Sequence, residues 1–493
     1  MKQIIIGVAT FAMLTASVYA QSLQSAIDFN QSLPGSTARS LGMGGAFGAL
    51  GGDPSCLMVN PAGLAIFRKS EFSFTPTFNY RGNSSTYLLN NVTDNRFSFN
   101  MGNAAAIFSG YRENRKDWKG LNFGIAYNRD YSFSTNNYFE GFNSKNSILN
   151  SYLDKANGTS DSLFSDLNFA FDVGLAYNAF LLNPDTGLTN MYTIAAPNGG
   201  VQQSMTQELR GGKGAWSFAF SNNYQDKIML GGSLDISSFR YDETNTYTES
   251  DKYDSIVSPY DKMDFKSFTL NQDKQTRGSG VSAKFGIIVK PVEWLRVGAA
   301  FHTPVVYNMK YNDQYSIASS FASKQYAPDA IESTFDYKYT SPLKAVGSLA
   351  LVWKQVGLLS VDYEYVDHQA TRFKSKGYNF VNENSAISKQ LQGASNVRVG
   401  AEYRYQIFAV RAGAAMYGSP VRSGNLKGAA DYAAVTYTGG VGMRESGYYF
   451  DIGYGYTKNS KTTAPYTVAE QTTNDVVTDY KLHRIQFTLG FKF

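Results

Sequence analysis

The chain ends in YKLHRIQFTLGFKF (Tyr480–Phe493), and this stretch decides the fold class. Apolar side chains stand at every second position, with polar or small residues between them: Ile485, Phe487, Leu489, Phe491 and Phe493. A period of two residues is the period of a β-strand. Because one face is wholly apolar and the other is not, the stretch predicts a strand that separates two different media.

The same alternation recurs upstream, for example in NVRVGAEYRY (Asn396–Tyr405) and WLRVGAAFH (Trp294–His302). The composition agrees, because 35 Tyr, 34 Phe and 45 Gly with only 17% charged residues favour strands and turns over helices. We predict fourteen strands, at residues 71–81, 96–109, 119–133, 213–223, 226–241, 278–290, 293–314, 333–354, 356–370, 395–406, 407–418, 434–445, 446–459 and 480–493.

The connections between these strands alternate in length. Links after even-numbered strands are mostly tight, whereas every link after an odd-numbered strand is long: 82–95, 134–212, 242–277, 315–332, 371–394, 419–433 and 460–479. Short turns at one end and long loops at the other are typical of outer-membrane barrels, and a soluble sandwich or propeller gives no reason for this pattern. The sequence therefore predicts an all-β protein, a transmembrane antiparallel β-barrel of about 14 strands (residues 71–493).

The alternation also assigns faces to particular side chains. Outward aromatic residues near strand ends are expected to form interfacial girdles: Tyr403, Tyr405 and Tyr448. Charged residues on the opposite face are expected to line a polar interior: Arg398, Glu402, Arg404 and Arg411. Closure of the barrel leaves no edge strand and satisfies the backbone groups without water.

Residues 1–20, MKQIIIGVATFAMLTASVYA, fit a cleaved signal peptide with Val18, Tyr19 and Ala20 at the cleavage site. Export of a barrel predicts the outer membrane of a Gram-negative cell, with membrane lipid as a partner. The net charge of +5 is small and dispersed, which argues against nucleic acid. The lone cysteine, Cys56, cannot form an internal disulfide and is expected to be a buried small hydrophobe.

The segment SLGMGGAFGALGGDPSCLMVNPAGLA (Ser40–Ala65) precedes the first predicted strand. Its glycines suggest a phosphate-binding loop, but neither a preceding buried strand nor a following helix is present, and no Lys-Ser/Thr pair follows. A barrel of fourteen strands is wider than one filled by its own side chains. Residues 21–70 are therefore predicted to plug the interior.

Three short motifs carry a family resemblance: ARSLGMGGA (Ala38–Ala46), then Asp53 and Ser55, then NPAG (Asn60–Gly63). Together they resemble the N-terminal hatch of the FadL/TodX family, which are outer-membrane transporters of long-chain fatty acids and other hydrophobic compounds. The resemblance also covers the signal peptide, the strand number and the C-terminal strand. The chain further resembles Bacteroidetes members that are often labelled hemin receptors, although no residue gives a basis for heme specificity.

The resemblance implies passive uptake of a hydrophobic ligand, gated by movement of the hatch, with lateral exit through a gap at a kinked third strand. Gating roles are implied for Gly42, Gly44, Gly45, Asp53, Asn60, Pro61, Ala62 and Gly63. Phe47, Leu50, Leu57 and Met58 either face the ligand or pack against the wall. Asn128, Arg129 and Asp130, which interrupt an apolar strand, are either the kink or the start of a loop.

Within the longest predicted loop, residues 161–182 show apolar side chains at helical spacing. They form either an amphipathic segment that shields an apolar opening or a strand pair with ordinary loop packing. The three histidines are scattered over different strands, and no metal-spaced cluster or nucleophile motif is present. We therefore expect no catalytic site, no metal, no cofactor and a monomer. The alternative function is a scaffold, receptor or adhesin barrel that binds partners, or heme, through its long loops.

Overall fold

The computed structural model describes residues 16–33, 35–196, 200–252, 265–354, 356–422, 432–469 and 474–493. Most of the predicted signal peptide lies outside these residues. A helix, α1 (Ala16–Asn30), crosses the predicted cleavage site, in a region where the sequence showed us no long periodic element. Among the described residues, no helix is long and apolar enough to span a membrane.

Strands make up most of the chain. They are β1 Glu71–Tyr87, β2 Asn90–Phe108, β3 Trp118–Ser132, β4 Thr135–Asn143, β5 Leu182–Pro184, β6 Tyr192–Ile194, β7 Val201–Tyr224, β8 Ile228–Ser250, β9 Phe265–Val292, β10 Leu295–His302, β11 Val306–Phe321, β12 Gln325–Tyr326, β13 Ile331–Thr340, β14 Lys344–Trp353, β15 Gly357–Asp367, β16 Arg372–Lys374, β17 Gly393–Tyr405, β18 Phe408–Tyr417, β19 Ala434–Arg444, β20 Tyr448–Thr463 and β21 Val476–Lys492.

Short helices lie before and between the strands. The remaining α-helices are α2 Ala38–Gly42, α3 Cys56–Val59, α4 Ile148–Ala156, α5 Leu175–Asn178 and α6 Val381–Gln390. Helical turns of other types cover Pro61–Ile66, Asp161–Leu163, Ala170–Gly174 and His368–Ala370. Residues 161–182 therefore contain helical turns, followed only at their end by the short strand β5.

The wall is a closed antiparallel barrel, which confirms the predicted fold class. β1 pairs with β2 on one side and with β21 on the other, so the sheet closes on itself. Several wall strands are interrupted and continue as a second piece, as β3 does in β4, β10 in β11, β13 in β14 and β15 in β16. Counting each such pair once, and leaving aside the two-residue β12 at the end of β11 and the separate β5–β6 sheet, gives fourteen wall strands.

One of the predicted long links is wrong, and another is shorter than predicted. Residues 82–95 form a hairpin that turns at Leu88 and Leu89, and both have positive φ. Residues 242–250 and 267–277 continue the β8–β9 ladder as far as the pair Ser250 and Ser267. These extensions are rich in Ser, Thr, Asn and charged residues on both faces, so no apolar alternation marks them, and hydrogen bonds of the ladder hold them instead.

Two predicted continuous strands, 293–314 and 333–354, are each broken near a proline. Pro304 separates β10 from β11, and Pro342 separates β13 from β14. Proline has no backbone N–H to give to a ladder, so a strand cannot continue regularly through it. The two breaks are side by side in the wall and both border the interior.

The outer surface is apolar, as the alternation predicts. In β21 the side chains of Ile485, Leu489 and Phe491 are exposed, whereas Gln486 and Thr488 are buried on the inside. Tyr403, Tyr405 and Tyr448 are also exposed, close to the short turns after β17 and β19. We call the end of the barrel with these turns the short-turn end, and the opposite end the long-loop end.

Candidate functional site

Residues 35–67, here called the plug, lie inside the barrel near its short-turn end. Nearly all of them are buried, and they contact strands all round the wall. Most of the predicted gating residues are in the plug interior, and Gly42, Gly44, Asp53, Asn60, Pro61, Ala62 and Gly63 each contact the wall or another plug residue. The structure therefore brings the predicted set together in one place.

An ion-pair network joins the plug to the wall. Arg39 of α2 makes a bidentate contact with Glu402 of β17, with nitrogen–oxygen distances of 2.9 and 3.1 Å. Glu402 also accepts from Arg411 at 2.6 Å and from Arg404 at 2.6 Å. Burial alone would lower the pKa of Arg39, but Glu402 outweighs this effect and raises that pKa above its usual value. The paired charge is thus retained inside the barrel.

A second carboxylate holds the plug backbone directly. The Asp362 side chain on β15 accepts hydrogen bonds from the N–H groups of Phe47 and Gly48, at 2.9 and 3.0 Å. The Ala38 N–H donates to the Thr488 hydroxyl at 2.8 Å, and the Gly44 N–H donates to Thr438 at 2.9 Å. These contacts satisfy backbone groups that have no ladder partner in the irregular plug.

Asn60 links three pieces of backbone at the end of the plug. Its Nδ2 donates to the carbonyl of Gly48 at 2.7 Å and lies 3.2 and 3.4 Å from the carbonyls of Ile287 and Ala299 on the wall. Its Oδ1 accepts from the Ala62 N–H at 3.1 Å and so caps the turn that begins at Pro61. The side chain therefore fixes the plug both to itself and to β9 and β10.

Asp53 organises the plug from within. Its carboxylate accepts from the Thr37 hydroxyl at 2.8 Å, from the Ser55 N–H at 3.0 Å and from the Ser55 hydroxyl at 2.7 Å.

Cys56 is fully buried, and burial raises the pKa of its thiol well above the usual value. The thiol therefore stays protonated and packs as a small apolar group.

Glycines of the wall allow the plug to approach closely. A Cβ added at Gly453 would overlap the carbonyl oxygen of Ala38, and one at Gly400 would overlap that of Met43. At Gly413 and Gly298 a Cβ would lie 2.5 Å from the plug backbone. We call these four wall glycines the glycine belt. The sequence did not single them out, because a glycine on the inner face of a strand gives the same alternation as any small residue.

Of the four residues expected either to face the ligand or to pack on the wall, only Met58 borders the interior cavity described below. Phe47 and Leu50 pack with Met43, Ala350 and Leu358. Leu57 packs against a different wall patch, of which Ala126 and Ala219 are part. For Phe47, Leu50 and Leu57 the structure thus shows wall packing.

The cavity lies on the long-loop side of the plug and encloses about 820 Å³, including space that is open to solvent. Its lining is mostly polar, with Asn128, Asp130, Ser217, Asp235, Ser237, Ser282, Lys284, His302, Lys344, Glu364 and Arg398 among the lining residues. Above it, α1 places Phe29 against the rings of Phe239, Tyr241 and Tyr339. A buried apolar cluster that includes residues of α4 and α5 lies at the long-loop end.

The barrel is closed, but the hydrogen-bond ladder between β2 and β3 is short. β2 pairs with β1 along its whole length, but its ladder with β3 stops at Asn103 and Asn128. Beyond that point β3 shifts register against β7 between Arg129 and Tyr131. The residues proposed as a kink, Asn128 to Asp130, therefore lie where the two strands part. A cavity lies at this gap, and its lining includes Arg81, Asn100, Gly102, Arg129, Asp130, Tyr131, Ser132, Ser134 and Arg484.

Asn60→Ala is expected to loosen the plug. The change leaves three carbonyl oxygens without this donor, at a cost of about 1–3 kcal/mol, or roughly a five- to hundredfold change in the ratio of docked to released plug. Faster hydrogen exchange of residues 35–67 and greater leakage of a large antibiotic into cells would show it. Asn95→Ala, an exposed site on β2, is the control. Equal exchange and leakage in both variants would contradict the assigned role.

In the described ranges, no group of three or more His, Cys, Asp or Glu side chains is placed to hold a metal ion. His302 lies beside the plug, with Nε2 2.8 Å from the Val59 carbonyl oxygen. His483 is outside, within hydrogen-bond distance of Tyr454. These two histidines thus contact separate parts of the fold.

Comparisons with known proteins agree with the fold. No family model and no curated protein matches the chain. Among solved structures, the chain is similar to a FadL homologue from Pseudomonas aeruginosa (13% identity, TM-score 0.59, 94% of this chain and 99% of the other). It is also similar to the toluene transporters TodX of P. putida (11%, 0.53) and TbuX of Ralstonia pickettii (14%, 0.52), with the same coverage. At these identities the likeness shows a shared fold.

Proposed function

We propose that the protein is an outer-membrane channel for passive uptake of hydrophobic small molecules, gated by the plug. One observation carries the proposal: the barrel has an apolar outer surface, and a buried plug held by side chains blocks its interior. Solved proteins of similar fold include the toluene transporters TodX and TbuX and the monoaromatic hydrocarbon channel CymD. On this proposal the short-turn end faces the periplasm and residues 1–20 are removed on export.

On this proposal, the path of the ligand through the barrel has two parts. A ligand bound among the apolar side chains of the long-loop end would reach the cavity above the plug. Its lateral exit would be the gap between β2 and β3, where Asn128, Arg129 and Asp130 lie. The two spaces both border Asp130, and release of the plug would widen the cavity by removing Met58 and Val59 from its lining.

The test is uptake by liposomes that contain the purified, folded barrel. Influx of a long-chain fatty acid and of toluene is measured against protein-free liposomes, with glucose as a polar solute of small size. We expect faster influx of at least one hydrophobic compound and no gain for glucose. No gain for either compound, with a folded barrel, would contradict the transport function.

The polar lining of the cavity favours a second candidate, an outer-membrane receptor or adhesin that binds partners through its long loops. Large apolar side chains are also exposed at the long-loop end, where Leu89 is fully exposed and Leu167 is 78% exposed. A receptor predicts no influx in the liposome assay and saturable capture of a partner by the intact barrel. If the protein is a receptor, the double variant Leu89→Ser with Leu167→Ser would abolish capture. If the protein is a channel, the same variant would leave influx unchanged.

A further inference from the structure

A second cavity opens at the short-turn end, on the far side of the plug from the cavity above it. It encloses about 640 Å³, including space open to solvent. Four cationic side chains line it: Arg39, Arg296, Lys354 and Arg404. Among the described residues that line it there is no acidic side chain. The cavity is therefore a concave, cationic site that plug gating does not by itself explain.

The charges at this site are not balanced locally. Arg39 and Arg404 share one carboxylate, Glu402, and the same carboxylate also receives Arg411. Arg296 forms no ion pair with any acidic side chain of the described residues, and its Nη1 donates only to the backbone carbonyl of Leu50, at 2.7 Å. An excess of positive charge thus surrounds a partly enclosed space, where electrostatic interactions are stronger than in bulk water.

One donor of Arg296 is unused. Its Nε is buried and has no hydrogen-bond partner. A buried donor without a partner costs free energy, which a ligand with an acceptor oxygen would recover. The planar guanidinium presents its donors in a fixed fork that matches carboxylate and phosphate oxygens. Lys354, in the turn after β14, supplies an exposed and flexible ammonium at the rim.

The remaining lining is apolar, with Leu50, Ile66, Val352 and Leu358 beside the cations. We propose that this cavity is a binding site for a phosphate group, held by Arg296, Lys354 and Arg404 and seated on the plug backbone at Leu50–Gly52. The proposal goes beyond the channel function and does not depend on it. An anion at this place would contact both the wall and the plug.

The test is calorimetric titration of the intact barrel in an uncharged detergent. One arm uses inorganic phosphate, and the other compares dihexanoyl-phosphatidylglycerol with dihexanoyl-phosphatidylcholine. We expect saturable binding of phosphate or of the anionic lipid, and no binding of the zwitterionic lipid. Tighter binding of the anionic lipid than of phosphate assigns the site to a lipid head group, whereas equal or weaker binding assigns it to a free anion.

Arg296→Gln and Lys354→Gln are each expected to weaken anion binding about tenfold, and the double variant more. Lys116→Gln, an exposed lysine in the turn after β2, is the matched control and is expected to bind as the wild type does. Lys354 is exposed in a turn, so its variant stays informative even if Arg296→Gln folds poorly. No saturable binding of either anion, or equal affinity in the wild type and the Lys354→Gln variant, would overturn the proposal.

Discussion

Gly453→Ala is expected to keep the plug from docking and to open the barrel to ions. The new Cβ would overlap the carbonyl oxygen of Ala38, which is backbone of α2 and cannot rotate away. Overpacking of this kind costs about 1–3 kcal/mol, or roughly a five- to hundredfold shift from docked to released plug. Conductance of single barrels in a planar bilayer measures the effect directly. We expect a largely closed wild type and frequent open events in the variant.

Gly347→Ala is the matched control. Gly347 also lies within a wall strand, β14, but a Cβ there would meet nothing within 4 Å. Its variant is expected to remain closed, because alanine suits a strand at least as well as glycine. Similar conductance in the Gly453→Ala and Gly347→Ala variants would contradict the role of the glycine belt. A second belt position, Gly400→Ala, should reproduce the Gly453→Ala result.

Glu402→Gln is expected to release the plug and destabilise the wall around it. The carboxylate pairs with Arg39, Arg404 and Arg411, so its loss removes the ion pairs of Arg39 and Arg404, whereas Arg411 keeps Asp451 at 2.7 Å. Removing one member of a buried ion pair costs about 3–5 kcal/mol. The midpoint of thermal unfolding, read from the heat-modified mobility of the barrel on a gel, should fall, and bilayer conductance should rise.

The variant Arg39→Leu separates the release of the plug from the destabilisation of the wall. Glu402 retains Arg404 and Arg411 in this variant, so the wall should unfold close to the wild-type temperature. Only the attachment of the plug is lost, at about 1.5–3 kcal/mol for hydrogen bonds to a charged group. We expect raised conductance with little change in thermal unfolding. A plug that stays closed without Arg39 would show that the ion pair does not hold it.

Much of the barrel could be predicted from the sequence, because a wall between lipid and a polar interior forces alternation on each strand. The faces of Tyr480–Phe493 and the inward positions of Arg398 and Glu402 follow from this rule alone and are confirmed. The hairpin at Leu88 and Leu89 was missed, since its strands leave the apolar layer and become polar on both faces. Apolar and polar residues alternate only in the part of a strand that has lipid on one face and the barrel interior on the other.

For the plug, in contrast, the sequence located the segment but did not predict its contacts with the wall. The motif around Asn60 pointed to the correct segment, but the partner of Arg39 could not be predicted, because Glu402 lies 363 positions away along the chain. Nothing local distinguishes the carboxylate that binds Arg39 from any other inward acid. The same holds for Asp362, which satisfies the backbone of Phe47 and Gly48.

The central claim, that the plug must move for a ligand to pass, is tested by locking it to the wall. A Cβ at Gly48 would lie 2.9 Å from the Cβ of Ser348, shorter than the separation of about 3.5–4.5 Å in disulfides, so the bond requires a shift of the plug by at least roughly half an ångström. Gly48→Cys with Ser348→Cys, and Cys56→Ala to remove the native thiol, gives a reversible lock. We predict that the oxidised barrel admits no hydrophobic compound into liposomes and that a reductant restores influx. Equal influx before and after reduction, with the disulfide formed, would contradict the claim.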